Sequence, residues 1–277
     1  MTKTLLIISG GEETVKVARH ARQAGYGVVV SDADPQAPAF AFADSCLIAD
    51  VHGVTETAAA AERYSRKIRK IDGVLCAADA VLTAATVADR LRLPGPPLHV
   101  AELLSDRLAI RRCFASAGIA APWHAEIFTP QELQRAVIAK GRNLVLKPVE
   151  NHGLGGAVLL TEVEDLNAAF LQARTHSPSE RVMVEQWLDG PRVRLAVLLL
   201  NGTCHVAGET GFADIAGRAA GALGLGDGPM MIEIAMDQGT PNVVEISARL
   251  CDGAFLDAAA RLALGETVSE NDLAASF

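Results

Sequence analysis

Aromatic residues are scarce in this sequence, and long apolar runs are missing. Only 4% of the 277 residues are aromatic, although 50% are hydrophobic, and most of the hydrophobic residues are Ala, Val and Leu. No apolar stretch is long enough to span a bilayer, and Leu5–Ile8 is too short for the apolar region of a signal peptide. We therefore expect no membrane partner, a cytoplasmic location, and a helix-covered parallel sheet instead of a β-sandwich.

Cysteine motifs and extended basic segments are also missing. The five cysteines include no Cys-x-x-Cys pair, and their odd number argues against a disulfide framework or a structural zinc site. Cys46 and Cys76 lie within apolar runs, which predicts that both are buried. The net charge of −8 and the absence of a long Lys/Arg run exclude a nucleic acid as partner, because a phosphate backbone requires a concentrated basic surface.

The chain divides into three segments by its pattern of strands and helices. Residues 1–97 alternate strand and helix as far as a Pro/Gly cluster, which predicts an α/β N-terminal domain with a parallel sheet. Residues 98–184 and 185–277 follow as two α+β lobes. In the first lobe we expect one helix over Val100–Ala117, and a strand over Leu144–Val149 that leads into a glycine-rich loop.

The first candidate site is Gly10-Gly11, which lies between a strand and a helix, with Asp32 at the end of the next strand. This outline resembles a dinucleotide site, in which backbone N–H groups approach a pyrophosphate and a carboxylate binds a ribose hydroxyl. The third glycine is missing, and Glu12 and Glu13 place negative charge where a phosphate would lie. A tight turn in a parallel sheet is therefore the favoured interpretation.

A second candidate is Lys147 at the end of a strand, followed by the glycine-rich loop Asn151–Gly156. The lysine ammonium can neutralise a polyphosphate, and glycines let backbone N–H groups approach its oxygens. The candidate residues of the loop are His152, Gly153, Gly155 and Gly156. The alternative is a β-hairpin turn beside a surface lysine, with His152 as a solvent-exposed loop residue.

A third candidate is the segment Glu185–Pro191, where a strand ends in an acidic, amphipathic turn. An adenine ring needs an acceptor for its amino group, a backbone donor and apolar faces. Glu185 and the backbone from Gln186 to Leu188 can supply these groups. An exposed strand end is the alternative.

The fourth candidate is the carboxylate pair Glu233 and Glu245, on two apolar strands that a short turn joins. Carboxylates in apolar strands are costly unless they meet cations. Two of them can share Mg²⁺, which proteins usually hold with one or two carboxylates and phosphate oxygens. We expect the two carboxylates to face one another across the hairpin and to point away from solvent. Arg249, four residues after Glu245, can hold an anionic substrate or a transferred phosphoryl group. Structural ion pairs are the alternative.

These motifs occur in an order that resembles the ATP-grasp superfamily, in particular its carbamoyl-phosphate-synthetase-like and biotin-carboxylase-like carboxylate–amine ligases. The resemblance covers nearly the whole chain. Its motifs are Val30–Pro38 with Ala43-Asp44, Ser105-Asp106-Arg107, Ala117–Pro122, Leu146-Lys147-Pro148, Glu185–Pro191, Ala222–Leu225 with Gly228-Pro229, and Glu245–Leu250.

The resemblance implies a pre-ATP-grasp domain over 1–97, an N-terminal ATP-grasp lobe over 98–184 and a C-terminal lobe over 185–277, with a nucleotide cleft between the lobes. It implies an enzyme that uses ATP and Mg²⁺, with Mn²⁺ as a substitute, to join a small carboxylate to an amine through an acylphosphate. A homodimer is compatible with this assignment. Arg107, Lys147 and the loop would bind nucleotide, Ser247 would join the two glutamates at the metal, and Arg249 would be catalytic.

The sequence departs from the family pattern at several positions. Arg107 replaces the usual Lys, Arg192 a frequent Glu, and Ser247 the expected Asn. The C-terminal lobe is also short after Ile215, where the family normally has a further segment. These departures keep a second hypothesis open, a degenerate ATP-grasp protein that binds nucleotide or a partner without catalysis. An NAD(P)-dependent oxidoreductase, based on Gly10, Gly11 and Asp32, is a third.

Overall fold

The computed structural model describes residues 2–150, 155–208, 210–251 and 253–273. The strands are β1 (Thr4–Ile8), β2 (Gly27–Asp32), β3 (Ser45–Ile48), β4 (Gly73–Cys76), β5 (His124–Ile127), β6 (Leu144–Pro148), β7 (Val158–Leu159), β8 (Val182–Gln186), β9 (Arg192–Leu200), β10 (Thr203–Val206), β11 (Gly228–Asp237) and β12 (Thr240–Ser247). The helices are α1 (Glu12–Gln23), α2 (Val54–Lys67), α3 (Val81–Leu91), α4 (Leu98–Ser105), α5 (Arg107–Ser116), α6 (Pro130–Lys140), α7 (Leu166–Thr175), α8 (Ala213–Ala222), α9 (Leu256–Ala263) and α10 (Glu270–Leu273).

The chain forms two compact units, each built from separate stretches of sequence. Unit 1 contains residues 1–104, 194–232 and 246–277, and unit 2 contains residues 105–193 and 233–245. The boundaries between the two units fall within α4, β9, β11 and β12. The division into 1–97, 98–184 and 185–277 stays a prediction.

The N-terminal sheet of unit 1 is parallel, as the alternation of strands and helices predicted. Its strand order is β3-β2-β1-β4, and β1 pairs in parallel with both β2 and β4. Side chains of β1 alternate between the two faces, so Leu5 and Ile7 join a core with α1 and α9, while Leu6 and Ile8 join a second core with α2 and α3. Every residue of β1 is buried, which explains its continuous apolar sequence.

Unit 2 contains an antiparallel sheet in the order β5-β8-β6-β7. Leu144 and Leu146 of β6 face one side of this sheet, where they pack with Leu133 of α6 and Phe170 of α7. The helices therefore cover one face of the sheet. The alternate residues of β6 and β8 point to the other face, toward α5, where Leu108, Val149 and Met183 form a small cluster.

A further sheet has the order β10-β9-β11-β12. The hairpin between β11 and β12 turns at Gln238 and Gly239, which both have positive φ angles, +47° and +83°. This two-residue turn matches the twist of antiparallel strands. The predicted hairpin between the strands of Glu233 and Glu245 is confirmed.

Two expectations about local structure are wrong. The helix predicted over Val100–Ala117 is interrupted at Asp106, which adopts an extended conformation, bridges to Glu150 and caps α5 by accepting a hydrogen bond from the N–H of Ala109. Cys46 is exposed, because β3 is an edge strand of its sheet. Cys76 is buried as predicted, and its burial raises the pKa of the thiol to about 11.

Within the described ranges, the helices are too short or too polar to cross a membrane.

Candidate functional site

The face of the unit 2 sheet that is turned away from α6 and α7 carries the predicted nucleotide-binding lysine. Val145 of β6 pairs with Glu185 of β8, and Lys147 pairs with Met183. Directly paired residues share a face of the sheet, so Lys147 and Glu185 lie on the same face as diagonal neighbours. The ammonium Nζ of Lys147 lies 3.0 Å from Oε1 of Glu185.

Glu185 is an almost fully buried carboxylate with two cationic partners. Its side chain is only 2% exposed, and that of Arg111 on α5 is 3% exposed. The Nε and Nη2 atoms of Arg111 donate to Oε2 of Glu185 at 2.9 and 2.6 Å, and Nη2 also donates to the backbone carbonyl of Val244 at 2.6 Å. We call Arg111, Lys147 and Glu185 the buried ion network.

The pKa of Glu185 reports the balance of forces in this network. Burial by itself raises the pKa of the carboxyl group, because the charged form loses its water. The positive charges of Arg111 and Lys147 and their hydrogen bonds outweigh this effect and hold the pKa below its ordinary value. Glu185 is therefore ionised at neutral pH and fixes the ammonium group of Lys147 in position.

Helix α5 connects the buried ion network to the predicted metal carboxylate. Arg107 lies one turn before Arg111, so both side chains project from the same side of the helix. Nη1 of Arg107 donates to the carbonyl of Pro148 at 3.0 Å, and its Nη2 lies 4.0 Å from Oε1 of Glu245. Because Arg111 binds the carbonyl of Val244, the two arginines contact adjacent residues of β12.

Arg111 is a residue that sequence reasoning missed. The buried positions of α5 are Leu108, Ile110, Arg111 and Phe114, so this arginine occupies a position that the helical period assigns to the core. A charged residue at such a position requires a buried partner of opposite charge. That conflict was visible in the sequence and could have identified Arg111 as part of a polar site.

The start of the glycine-rich loop is anchored by carboxylate contacts. Glu150 follows β6 and accepts hydrogen bonds from the hydroxyls of Ser177 and Ser179. Arg181 lies 3.6 Å from Glu150 and also pairs with Asp106 at 2.7 Å. Hydrogen bonds to Glu126 and Asp106, together with their negative charges, raise the pKa of this arginine, so its charge is permanent.

The other end of the loop requires glycine for steric reasons. Gly156 has a φ angle of +80°, and a Cβ atom there would lie 2.6 Å from Cβ of His176 and 2.8 Å from Cγ of Pro148. A Cβ atom on Gly155 would lie 3.0 Å from the His176 ring. Both glycines therefore allow close packing against the end of α7. The predicted loop residues His152 and Gly153 lie outside the described residues.

The segment predicted to bind adenine is only partly available to a ligand. The Glu185 carboxylate is engaged in the buried ion network, and the N–H of Gln186 donates to the carbonyl of Trp123 at 2.8 Å. These two groups are used within the ion network and the sheet, in which β8 is a central strand, and adenine binding by Glu185 and the backbone from Gln186 to Leu188 stays a prediction. Leu188 lies beyond the strand and packs with Ala235 and Val244.

Glu233 and Glu245 each lie near an arginine, at different distances. Oε1 of Glu233 accepts a hydrogen bond from Nη1 of Arg192 at 2.9 Å, and its side chain is 15% exposed. Glu245 is 33% exposed, and its arginine partner is 4.0 Å away. That the two carboxylates face one another stays a prediction.

The donor chemistry of this region fits a hard divalent cation at Glu245. Its oxygen is accessible and only loosely paired, and a carboxylate oxygen suits Mg²⁺. Glu233 fits less well, because it already has a cationic partner. Ser247 is buried near the end of β12. Among the described residues, no three His, Cys, Asp or Glu side chains form a group that could hold a metal by themselves, so phosphate oxygens or water would have to complete the coordination.

Arg249 belongs to unit 1 and is held at the end of β4. Its Nε donates to Asp79 at 3.0 Å, and its Nη1 lies 3.4 Å from the carbonyl of Ala77. Leu250 donates its N–H to the carbonyl of Cys76 at 3.0 Å, which fixes the backbone beside the guanidinium. The structure therefore orients Arg249 through unit 1.

The turn at Gly10-Gly11 has a structural explanation. The N–H of Gly10 donates to Oδ2 of Asp32 at 2.7 Å, while Oδ1 of Asp32 accepts from the N–H of Asp34 at 2.9 Å. A Cβ atom on Gly10 would lie 2.6 Å from that of Ala37. Oδ2 of Asp32 therefore stabilises the turn at Gly10, and Oδ1 stabilises the loop after β2, in agreement with the tight-turn interpretation.

No protein-family model matches the chain. An uncharacterised protein of Sinorhizobium fredii, y4rH, is 27% identical over 284 residues, which cover 90% of this chain and 59% of that protein. A D-alanine–D-alanine ligase of Pseudomonas putida is 26% identical over 175 residues, which cover 61% of this chain and 52% of the ligase. The chain thus spans between half and three fifths of the length of these curated relatives.

Among solved structures, a complex of biotin carboxylase from Campylobacter jejuni with β-γ-ATP superimposes with a TM-score of 0.75. The identity is 15%, and the match covers 99% of this chain and 73% of that enzyme. At this identity the match establishes the fold alone. The predicted ATP-grasp fold is confirmed, and the similarity to a D-alanine–D-alanine ligase agrees with the resemblance seen in the sequence.

Proposed function

Starting from the ATP-grasp fold of this chain, we propose that it is an ATP- and Mg²⁺-dependent ligase that joins a small carboxylate to an amine through an acylphosphate. The observation that carries the proposal is the buried ion network. A lysine on a sheet face is common, but Lys147 is held by a buried carboxylate at 3.0 Å, beside the base of a glycine-rich loop. A fixed ammonium group in this place suits the phosphates of a nucleotide.

The nucleotide-binding groups of the proposal come from unit 2. Lys147 and Arg107 would neutralise phosphate oxygens, and the backbone of the loop that ends at Gly155 and Gly156 would approach them. Leu188 would supply the backbone donor for adenine, because the N–H groups of Gln186 and Trp187 donate to other backbone carbonyls. This assignment selects Leu188 from the predicted range Gln186–Leu188.

The reaction would proceed in two transfers. A carboxylate oxygen of the first substrate attacks the γ-phosphorus of ATP, and the bond from that phosphorus to the bridging oxygen breaks to release ADP. The amine nitrogen then attacks the acyl carbon, phosphate leaves, and the nitrogen loses a proton. A carboxylate is a poor electrophile, so this activation is needed before the amine can react.

The chain's own cations would stabilise the charge that moves during these transfers. Arg249, oriented by Asp79, would hold the carboxylate substrate or the transferred phosphoryl group. Glu245, with Glu233 and Ser247 as further candidates, would hold Mg²⁺, whose contribution is to neutralise charge on the β- and γ-phosphates. Mn²⁺ would substitute, because it prefers similar oxygen ligands.

The substrate class of the proposal is a small carboxylate such as an amino acid, with a small amine as partner. The name of the P. putida relative describes a ligase that acts on D-alanine, which supports an amino-acid substrate. The chain's acidic balance fits a cytoplasmic protein.

ADP release tests the proposal directly. The chain would be incubated with ATP, Mg²⁺ and a matrix of amino acids and small amines, beside the variants Lys147→Ala and, as a matched control, Lys67→Ala at an exposed position of α2. We expect ADP with at least one pair of substrates, lost in Lys147→Ala and kept in Lys67→Ala. ATP binding without ADP release for every pair would favour the non-catalytic alternative.

Ligand-induced shifts of the thermal unfolding midpoint distinguish the proposed ligase from the NAD(P)-dependent oxidoreductase alternative. A bound ligand at a hundredfold excess over its Kd stabilises the folded protein by about 2.7 kcal/mol. We expect ATP with Mg²⁺ to raise the midpoint of unfolding and NAD(P) to leave it unchanged. The reverse result would contradict the ligase proposal.

A further inference from the structure

Arg192 is placed where it can act as a permanent cation beside one of the two candidate metal carboxylates. Its Nη1 donates to Oε1 of Glu233 at 2.9 Å. Its guanidinium carbon lies 3.7 Å from the centre of the Trp187 ring, which is the geometry of a cation–π contact. Two separate contacts therefore hold the guanidinium, one through charge and one through the aromatic face.

The backbone fixes the start of β9 against β11 near Glu233. The N–H of Met236 donates to the carbonyl of Pro191 at 2.9 Å. A Cβ atom on Gly190 would lie 1.9 Å from the carbonyl oxygen of Met236, so only glycine permits this approach. The segment that precedes Arg192 is thus anchored to the strand that carries Glu233.

Glu233 and Glu245 differ in how strongly they are already neutralised. Glu233 makes a direct hydrogen bond to its arginine and is 15% exposed. Glu245 is 33% exposed and 4.0 Å from Arg107, whose Nη1 donates instead to the carbonyl of Pro148. A divalent cation meets less competition at Glu245, because the guanidinium of Arg107 lies 4.0 Å from this carboxylate, whereas that of Arg192 lies 2.9 Å from Glu233.

We infer that Arg192 is a built-in counter-cation for Glu233, so that the site takes one divalent cation per nucleotide, held by Glu245. This inference rests on the proposed nucleotide- and metal-binding function and makes it more specific. A guanidinium keeps its charge at every physiological pH and needs no coordination shell. It occupies Glu233 whether or not nucleotide is bound, and a second metal at that carboxylate would be repelled by it.

Counting bound metal tests this inference without reference to turnover. Nucleotide binding to the full chain is first established by titration with the non-hydrolysable β,γ-imido analogue of ATP. Mn²⁺ is then added at saturating nucleotide, and electron paramagnetic resonance gives the number of Mn²⁺ ions bound per protein–nucleotide complex. The variants are Arg192→Ala, Arg192→Lys, and Arg174→Ala, which removes a surface arginine–glutamate pair with the comparable N–O distance of 2.6 Å.

We expect one Mn²⁺ in the unmodified chain, in Arg192→Lys and in Arg174→Ala, and two in Arg192→Ala. Dipolar broadening between the two ions in Arg192→Ala is the accompanying spectroscopic signature. If Arg192→Ala does not fold, Arg192→Gln replaces it, because it removes the charge and keeps most of the volume. Two ions in the unmodified chain, or one ion in the folded neutral variant, would overturn the inference while nucleotide binding stands. Failure of the unmodified chain to bind the nucleotide would remove the proposed function itself, and the inference with it.

Discussion

Replacing Glu185 by Gln tests the buried ion network with the smallest change in shape. The substitution removes one negative charge and leaves the side-chain volume nearly unchanged. Arg111, only 3% exposed, then keeps its bond to the carbonyl of Val244 but loses its counter-charge. Lys147 is 15% exposed and can recover part of its hydration, so the cost arises mainly at Arg111.

The expected magnitude follows from the burial of the pair. Breaking a buried ion pair by removing one partner typically costs about 3–5 kcal/mol, because the remaining charge stays uncompensated. The matched control is Glu180→Gln, whose arginine partner lies at the same distance of 2.6 Å but where the side chains are 44% and 67% exposed. An exposed pair contributes at most about 1 kcal/mol. The two variants therefore differ in the burial of the ion pair and in the second cation, Lys147, that Glu185 also contacts.

The two tryptophans of the chain make the measurement specific. Trp123 and Trp187 both belong to unit 2, and the chain has only 2 tryptophans, so fluorescence during urea unfolding reports on the unit that contains the network. We expect Glu185→Gln to lower the free energy of unfolding by about 3–5 kcal/mol at pH 7. The double variant Arg111→Met with Glu185→Gln should lose less than the sum of the single variants, because no unpaired charge remains on Arg111.

The contribution of Glu185 to the stability of the fold should decrease at acidic pH. The pKa of Glu185 is lowered in the folded protein from an ordinary value of 4.5, so the carboxylate stabilises the fold above that value. This stabilisation is lost as the pH falls below 4.5 toward the folded-state pKa. The difference in the free energy of unfolding between the original chain and Glu185→Gln should therefore become smaller in that pH range. If Glu185→Gln lowered the free energy of unfolding at pH 7 by no more than Glu180→Gln does, the reasoning would be refuted.

Three further outcomes are expected. Lys147→Ala should weaken ATP binding about 10- to 100-fold in a fluorescence titration, since a hydrogen bond to a charged group contributes about 1.5–3 kcal/mol; unchanged affinity would remove Lys147 from the nucleotide site. Glu245→Gln should reduce Mg²⁺-dependent ADP release by about 100-fold or more. It should change the free energy of unfolding by less than about 1 kcal/mol, because the nearest guanidinium, that of Arg107, is 4.0 Å away. ADP release at the original rate would contradict the assignment of Glu245 to the metal. Gly190→Ala should destabilise unit 2 by about 3 kcal/mol in urea unfolding, because its Cβ would lie 1.9 Å from the carbonyl oxygen of Met236. The control Gly221→Ala, in open space on α8, should stabilise the protein by about 0.5–1 kcal/mol. Equal effects of the two substitutions would show that the contact between Gly190 and Met236 is not rigid.

The sequence by itself determined the layered α/β architecture of the N-terminal region. Apolar runs of four to six residues such as Leu5–Ile8, each followed by a helical period and a glycine, predict buried parallel strands joined by helices. The same local logic identified Lys147 at a strand end, because the motif and its glycine-rich loop are contiguous in the chain. Local patterns succeed wherever the groups that interact are close in sequence.

The tertiary structure decided which charges meet. Arg111 and Glu185 are separated by 74 positions, and Arg192 and Glu233 by 41, so no periodicity relates them. Their pairing depends on how α5 and β9 pack, and the helix break at Asp106 that orients α5 depends on a bridge to Glu150. Whether a candidate carboxylate is available to a metal or already neutralised by arginine is therefore settled by packing, because the energy of a charge depends on which groups replace its water.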